Sequence, residues 1–338
     1  MNARAESYGD GGSRVLVLGG AGFLGSHVAR RFAALGARVT IVDAMFTHGG
    51  ANRANLRGLP PSVEVIECDI SALPDLERRL AAADLVVDAM GATGHQWAYR
   101  YPDLDLASNV SSHLVLLQSL QALQPGKSRP RIVHLGTRAV YGRGGEESVD
   151  EQRAPAPIDI QGSHKLLAER HLTLLGSQMC LTTTVLRIGN CYGPGQRLSG
   201  DDIGLLGGFL RQIMAGGSAV VFGGSERQRD FLFVDDVTDA VLAAAAIHAP
   251  GTHIFNIAGR RVPLTSVVNE LIAAAGRGSS EMAEFPDEVK RIDPGAFVLD
   301  CTRAERTLGW TPKTPLALGI GETVRYYALH GQDYGVET

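Results

Sequence analysis

The chain has 338 residues, 44% of them hydrophobic and 20% charged, with a formal net charge of −4 at pH 7. That balance suits a globular protein of one large or two modest domains and supplies no general attraction to nucleic acid or to an anionic membrane surface. No apolar run approaches the ~18 residues a bilayer-spanning helix needs, the first dozen residues lack a signal-peptide core, and Cys68, Cys180, Cys191 and Cys301 lie too far apart for a zinc motif. The expectation is a cytoplasmic protein with reduced thiols, a flexible tail over 1–13 and no metal.

In chain order, "RVLVLGG" (Arg14 to Gly20) is a Val/Leu run bounded by glycines and reads as a strand buried on both faces. "AGFLGSHVARRFAALG" follows with helical spacing: Phe23, Val28, Phe32 and Leu35 share one side, and Gly36 supplies a stop. The turn between them has the spacing Gly19-x-x-Gly22-x-x-Gly25. Gly19 permits the tight turn, Gly22 lets backbone approach a pyrophosphate, and Gly25 lets helix and strand pack closely. The helix N-terminus, opening at Phe23 and Leu24, offers free N–H groups and a partial positive charge to phosphates. The same turn would also serve packing alone. The next strand, "ARVTIVD", ends in Asp43, placed to accept from a ribose 2′-hydroxyl and to repel a 2′-phosphate, which favours NAD over NADP.

Strands ending at Asp69-Ile70, near Ala89 and Gly91, and at Thr137 alternate with helical patterns near 72–83 and 103–123. The expected fold class is α/β: a Rossmann-type doubly wound parallel sheet over 14–180, with a smaller C-terminal α/β substrate lobe over 181–330, interleaved with the first. Ligands in such sheets sit at the carboxyl ends of the strands.

With these pieces in place, the chain resembles the extended short-chain dehydrogenase/reductases, specifically the nucleotide-sugar epimerases and dehydratases, from about Arg14 to Tyr327. "GGAGFLG" is similar to the cofactor loop, "CDI" to the adenine-contacting segment, "NVSSHLVLLQSL" to the helix after the fourth strand, and "GTRAVYG" to the strand bearing a catalytic Ser or Thr, here Thr137. "RIGNCYGPGQ", "RQRDFLFVDDV" and "LGWTP" resemble the substrate half. The resemblance implies NAD contacts at Gly19, Gly22, Phe23, Leu24 and Gly25, at Asp43, Asp69 and Ile70, and at Ala89, Gly91 and Lys165. It also implies a nucleotide-sugar substrate and a homodimer built on helices near 103–123 and 163–175.

The family's reaction uses a tyrosine four residues before the lysine, stacked with it on one helix face. Here Lys165 and Thr137 are present, but the tyrosine position is Gln161. An amide does not exchange protons at neutral pH, although it can hydrogen-bond a sugar hydroxyl. His164 is rotated by about 100° from Lys165 and faces elsewhere. His95 and Tyr99, in the loop "GATGHQWAYRYP" after the fourth strand, are the candidates for a relocated acid/base; Glu146, Glu147 or water are alternatives. Arg138 and Ala139 stand where the resemblance would place the carboxylates of dehydratases or decarboxylases, so those routes are disfavoured.

In the second half the resemblance gives Asn190 a diphosphate contact, "GGFLRQIMAGG" a helix over the nucleotide base, and Arg229 a phosphate, with Arg291 a second candidate. A planar guanidinium suits that task, and a surface ion pair is the plain alternative for either arginine. Asp235-Asp236 reads as a helix start rather than a metal site. Three readings follow: an NAD-dependent epimerase-like enzyme with an atypical acid/base; non-redox proton abstraction on a keto-sugar nucleotide; and a catalytically silent binder of NAD and a nucleotide sugar.

Overall fold

The structure, a computed structural model, describes residues 12–123, 129–145, 147–200, 202–224, 227–285, 295 and 297–336. The first half runs β1 (Arg14–Leu18), α1 (Phe23–Ala34), β2 (Arg38–Asp43), β3 (Glu64–Glu67), α2 (Leu76–Ala82), β4 (Leu85–Asp88), α3 (His95–Arg100), α4 (Pro102–Leu106), α5 (Ser112–Ala122) and β5 (Arg131–Thr137). It continues with α6 (Ile160–Met179), β6 (Thr182–Ile188), β7 (Asn190–Tyr192), α7 (Leu205–Met214), β8 (Ser218–Phe222), β9 (Gln228–Phe233) and α8 (Val234–Ala245). The chain closes through β10 (Gly251–Ile257), β11 (Arg260–Pro263), α9 (Leu264–Ala275), β12 (Ser279–Ala283), α10 (Thr302–Leu308) and α11 (Leu316–His330).

Seven strands form one sheet in the order β10-β6-β5-β4-β1-β2-β3, and every pairing in it is parallel. A parallel sheet needs helices on both faces, and β1 shows how the sequence provides for this. Val15 and Val17 join the core with Val28 and Phe32 of α1 and Val237 of α8. Leu16 and Leu18 point the other way, into a core with Leu80 of α2, Leu116 of α5 and Leu172 of α6. The continuous apolar run is therefore an alternation between two interiors. The order of connections reverses between β1 and β4, which opens a crevice at their carboxyl ends.

Chain beyond residue 180 serves both layers. Strands β6 and β10 complete the large sheet, while β11-β9-β7 and β12-β8 form two smaller sheets. These pack with α7, α9 and α11 around Phe209, Phe231, Leu271 and Ile320. Asp236, in the first turn of α8, accepts backbone N–H groups of Lys313 and Thr314, and its own carbonyl accepts from the Trp310 indole at 2.8 Å. That pins the Trp310-Thr311-Pro312 turn against α8. Among the described residues no helix is long and apolar enough to cross a membrane. Of the expected tail, residues 1–11 lie outside the described residues.

Three local differences from the sequence reading matter for the site. Helix α6 begins at Ile160, ahead of the expected start near residue 163, because the Asp159 carboxylate accepts the Gly162 N–H at 2.7 Å and caps an otherwise unpaired end. The helical region after residue 101 is broken at Ala107–Ser111 into a π-helical turn. His95 opens a short helix, α3, rather than lying in a loop. Leu104 and Leu106 of α4, Leu114 of α5, and Leu167 and Leu174 of α6 are exposed, on the helices to which the homodimer expectation refers.

Candidate active site

The crevice is floored by the glycine turn. Gly19 lies in the left-handed region (φ +77°), and its N–H donates to the Val42 carbonyl at 2.8 Å. A Cβ there would sit 2.6 Å from the Ala89 carbonyl oxygen; one at Gly25 would sit 2.3 Å from the Gly19 oxygen. Both positions exclude any side chain. Gly22, the N-cap of α1, is less crowded, 3.3 Å from the same oxygen. No side chain caps α1 and no acid occupies its first turn, so the N–H groups around Phe23 and Leu24 face an uncompensated positive helix end. That cradle fits a pyrophosphate.

Asp43 ends β2 beside this turn. Its carboxylate accepts the Ala21 and Met45 N–H groups, each at 2.8 Å, so it braces the loop as well as marking the strand end. Burial pushes its pKa up, and the two backbone N–H groups offset this only partly. Further along the same edge, exposed Asp69 accepts from the backbone and hydroxyl of Ser71, while Ile70 is buried in the core.

On the other side of the crevice Lys165 is 7% exposed and donates to the Met90 carbonyl at 3.2 Å. Gly91 (φ +125°) makes room for it: a Cβ there would lie 2.2 Å from the Lys165 Nζ and 2.3 Å from the Asn109 Oδ1. Asn109, on the π-helical turn, donates to Asp105 at 2.9 Å, and its buried Oδ1 has no hydrogen-bond partner among the described residues. Asp105 also bonds the His164 ring at 2.6 Å, so His164 is turned toward α4 and away from Lys165. Burial holds the Lys165 amine below its ordinary value, with Asp88 and Asp105 pulling the other way.

Gln161 is buried one helical turn before Lys165, and its amide donates to the Ala92 carbonyl at 3.4 Å. Thr137 ends β5, and its hydroxyl oxygen accepts the Ala139 N–H at 3.2 Å. The two segments touch, since a Cβ at Gly162 would be 3.1 Å from the Ala139 carbonyl. His95 Nδ1 lies 2.7 Å from the Asp159 carboxylate. Its ring is 44% exposed, whereas Asp159 is 4% exposed. Burial disfavours the imidazolium, but Asp159 and then Asp202 outweigh it, so His95 sits above its ordinary pKa. Tyr99, on the next turn of α3, is 53% exposed. Glu147 is described and Glu146 is not.

Among the residues expected to meet substrate, Asn190 donates to both the carbonyl and the carboxylate of Asp230, at 2.9 and 2.8 Å, and accepts from Arg138 at 3.0 Å. Arg138, next to Thr137 in the chain, lies over the Phe297 ring at 5.0 Å. Arg229 is 3% exposed in β9 and donates to the Gln228 carbonyl, a buried setting unlike a surface ion pair. Arg291 lies outside the described residues.

Sequence reasoning did not assign Asp159, Asp105 or Asn109. An aspartate directly before a helical pattern is a legible N-cap, which was the available signal for Asp159. A buried cluster of Asp88, His113 and His134 had no signal at all: the β4–β5 register brings Asp88 opposite His134, whose Nδ1 lies 2.8 Å from the carboxylate, and α5 adds His113 at 3.1 Å. Burial pushes Asp88 up, but the two rings outweigh it and hold its carboxyl well below the usual range. These three side chains are near enough to share a metal ion; two imidazoles sharing one carboxylate already account for the arrangement.

The sequence profile of the NAD dependent epimerase/dehydratase family matches residues 15–258. The chain belongs to that family. Its members among the most similar curated proteins are enzymes, including UDP-glucose 4-epimerase of Mycolicibacterium smegmatis, 27% identical over 94% of this chain and 100% of that one. Among solved structures, UDP-glucose 4-epimerase of Thermotoga maritima with UDP-glucose superposes with a TM-score of 0.81 at 28% identity, covering 94% of this chain and 99% of that one. The dTDP-glucose 4,6-dehydratase of Streptomyces venezuelae, with NAD bound, also gives 0.81, at 25% identity, covering 94% and 98%. The doubly wound fold and the family's dependence on NAD agree with the sequence reading.

Proposed function

We propose that the protein is an NAD-dependent nucleotide-sugar epimerase-like enzyme that oxidises and re-reduces one sugar carbon, with Gln161 in place of the family's tyrosine. The observation that carries this reading is the buried Lys165, held over Gly91 and Met90 with Gln161 one turn away on the same face. The Lys165 amine and the Asn109 oxygen, which has no hydrogen-bond partner among the described residues, both lie beside Gly91 and offer polar atoms to a ligand.

The glycine turn and the positive end of α1 would hold the pyrophosphate, Asp43 the adenosine ribose, and Lys165 the nicotinamide ribose. Bound NAD supplies the acceptor and donor of the hydride. Thr137 and Gln161 hydrogen-bond the sugar and orient it, with neither taking its proton. Proton exchange falls to His95, whose ring is accessible and whose pKa, lowered by burial, is raised more strongly by Asp159 and Asp202; Tyr99 is the other candidate on α3. Asn190 and Arg229, with Arg138 between Thr137 and Asn190, line the diphosphate side.

The test is a panel of nucleotide sugars carrying deuterium at C4, incubated with protein and NAD. Inverted product that retains the label supports the reading. Exchange of a neighbouring carbon's proton without transient NADH would mean proton abstraction instead, and binding without turnover would mean a silent binder.

A further inference from the structure

We infer that Asp159 and His95 form an acid/base dyad, in which Asp159 is the positioning residue that fixes the imidazole with Nδ1 as donor and Nε2 free toward substrate. The inference deepens the proposed function and rests on it.

Four observations carry it. The Nδ1···Oδ2 distance of 2.7 Å is that of a charge-assisted hydrogen bond. The carboxylate is nearly excluded from solvent while the ring is half open, so one face of the imidazole is held and the other presented. Asp159 is itself rigid, because its second oxygen caps α6 at Gly162 N. That cap sits two residues before Gln161, whose amide bonds Ala92 on the loop leading into α3. The dyad therefore ties the two segments on which the sugar-facing residues lie.

The groups facing His95 decide its charge. Asp159 and Asp202 stabilise the imidazolium, Arg138 opposes it, and burial opposes it most. Asp202 also accepts the Trp97 N–H at 2.9 Å and so fixes the first turn of α3. A carboxylate on Nδ1 sets the tautomer, leaves the Nε2 lone pair free and raises its basicity. In the reaction, the sugar hydroxyl O–H bond breaks toward Nε2 as the C–H bond at the same carbon breaks and C=O forms. Bound NAD would supply the acceptor and the donor for the electron pair of that C–H bond. When the carbonyl is reduced, Nε2–H gives the proton back, and no external oxidant or base is consumed.

Asp159→Asn is the discriminating variant, since asparagine caps a helix as well as aspartate but carries no charge. The NMR titration of the His95 ring is read in the full-length protein, with its resonance assigned by its loss in His95→Gln. The dyad predicts a titration above the ordinary histidine value in the wild type and a lower one in Asp159→Asn. His95 must be neutral to accept a proton, so turnover rises as pH passes through its midpoint. In Asp159→Asn that rise moves to lower pH and the plateau kcat falls about tenfold or more, with KM little changed. A His95 titration that Asp159→Asn leaves in place overturns the dyad whatever the turnover. A titration that moves while the pH profile stays fixed overturns its part in the reaction. Failure of the wild type to scramble or invert any labelled nucleotide sugar sinks the functional reading instead, and the NMR result separates the two.

Discussion

A methyl group at residue 25 has nowhere to go, because its Cβ would stand 2.3 Å from the backbone oxygen of Gly19 and 2.9 Å from the Gly20 Cα. Neither neighbour is the end of a flexible side chain. Gly25→Ala should therefore cost about 1–3 kcal/mol in urea denaturation and weaken NAD binding by calorimetry, since the displaced turn is the one proposed to cradle phosphate. Unchanged stability and NAD affinity would show that the turn is looser than the geometry implies. This glycine was legible in the sequence as spacing, as was Asp43 at its strand end. Less legible was that Asp43 spends its carboxylate on two backbone N–H groups. Motifs report which residues meet a ligand, whereas the bonds that brace them are made across the fold by residues without a pattern. His95 and Lys165 show the same division: both were visible as residue types, while the bonds that hold them, from His95 to Asp159 and from Lys165 to the Met90 carbonyl, were not.

At the scale of elements, α6 carries Lys165 and Gln161, and its position is fixed at its start and at its middle. Asp159 caps the start. Further along, Glu169 pairs with Arg187 of β6 through both guanidinium forks, with the side chains 2% and 3% exposed. Arg187 donates in turn to the Tyr141 hydroxyl, which donates to Asn256 on β10. Removing one partner strands a buried charge, so Glu169→Ala should cost about 3–5 kcal/mol in urea denaturation. A loss under 1 kcal/mol would mean that water reaches Arg187 or that α6 is anchored elsewhere. The helix was legible near 163–175 through the family resemblance, but its start was not: glycine, glutamine and proline neighbours dilute the pattern there, and only the capping aspartate marks it. The π-helical turn at Ala107–Ser111 is similarly unreadable, because one such turn leaves no distinct mark on the helical spacing.

At the scale of the whole molecule, the parallel order was legible because a buried strand that alternates between two interiors must be apolar throughout. The interleaving of layers was legible only in outline. The placing of β6 beside β5, and of β10 beside β6, comes from pairings across more than forty residues of sequence, which no local pattern marks. The account as a whole stands on a site that keeps the family's ribose anchor but has moved its proton exchange from residue 161 to residue 95. The most direct measurement is kcat on an active nucleotide sugar for His95→Gln, and for His95→Gln combined with Gln161→Tyr. The account predicts a loss of about a hundredfold in the first and substantial recovery in the second, where the phenol returns beside Lys165. Full activity in His95→Gln would contradict it.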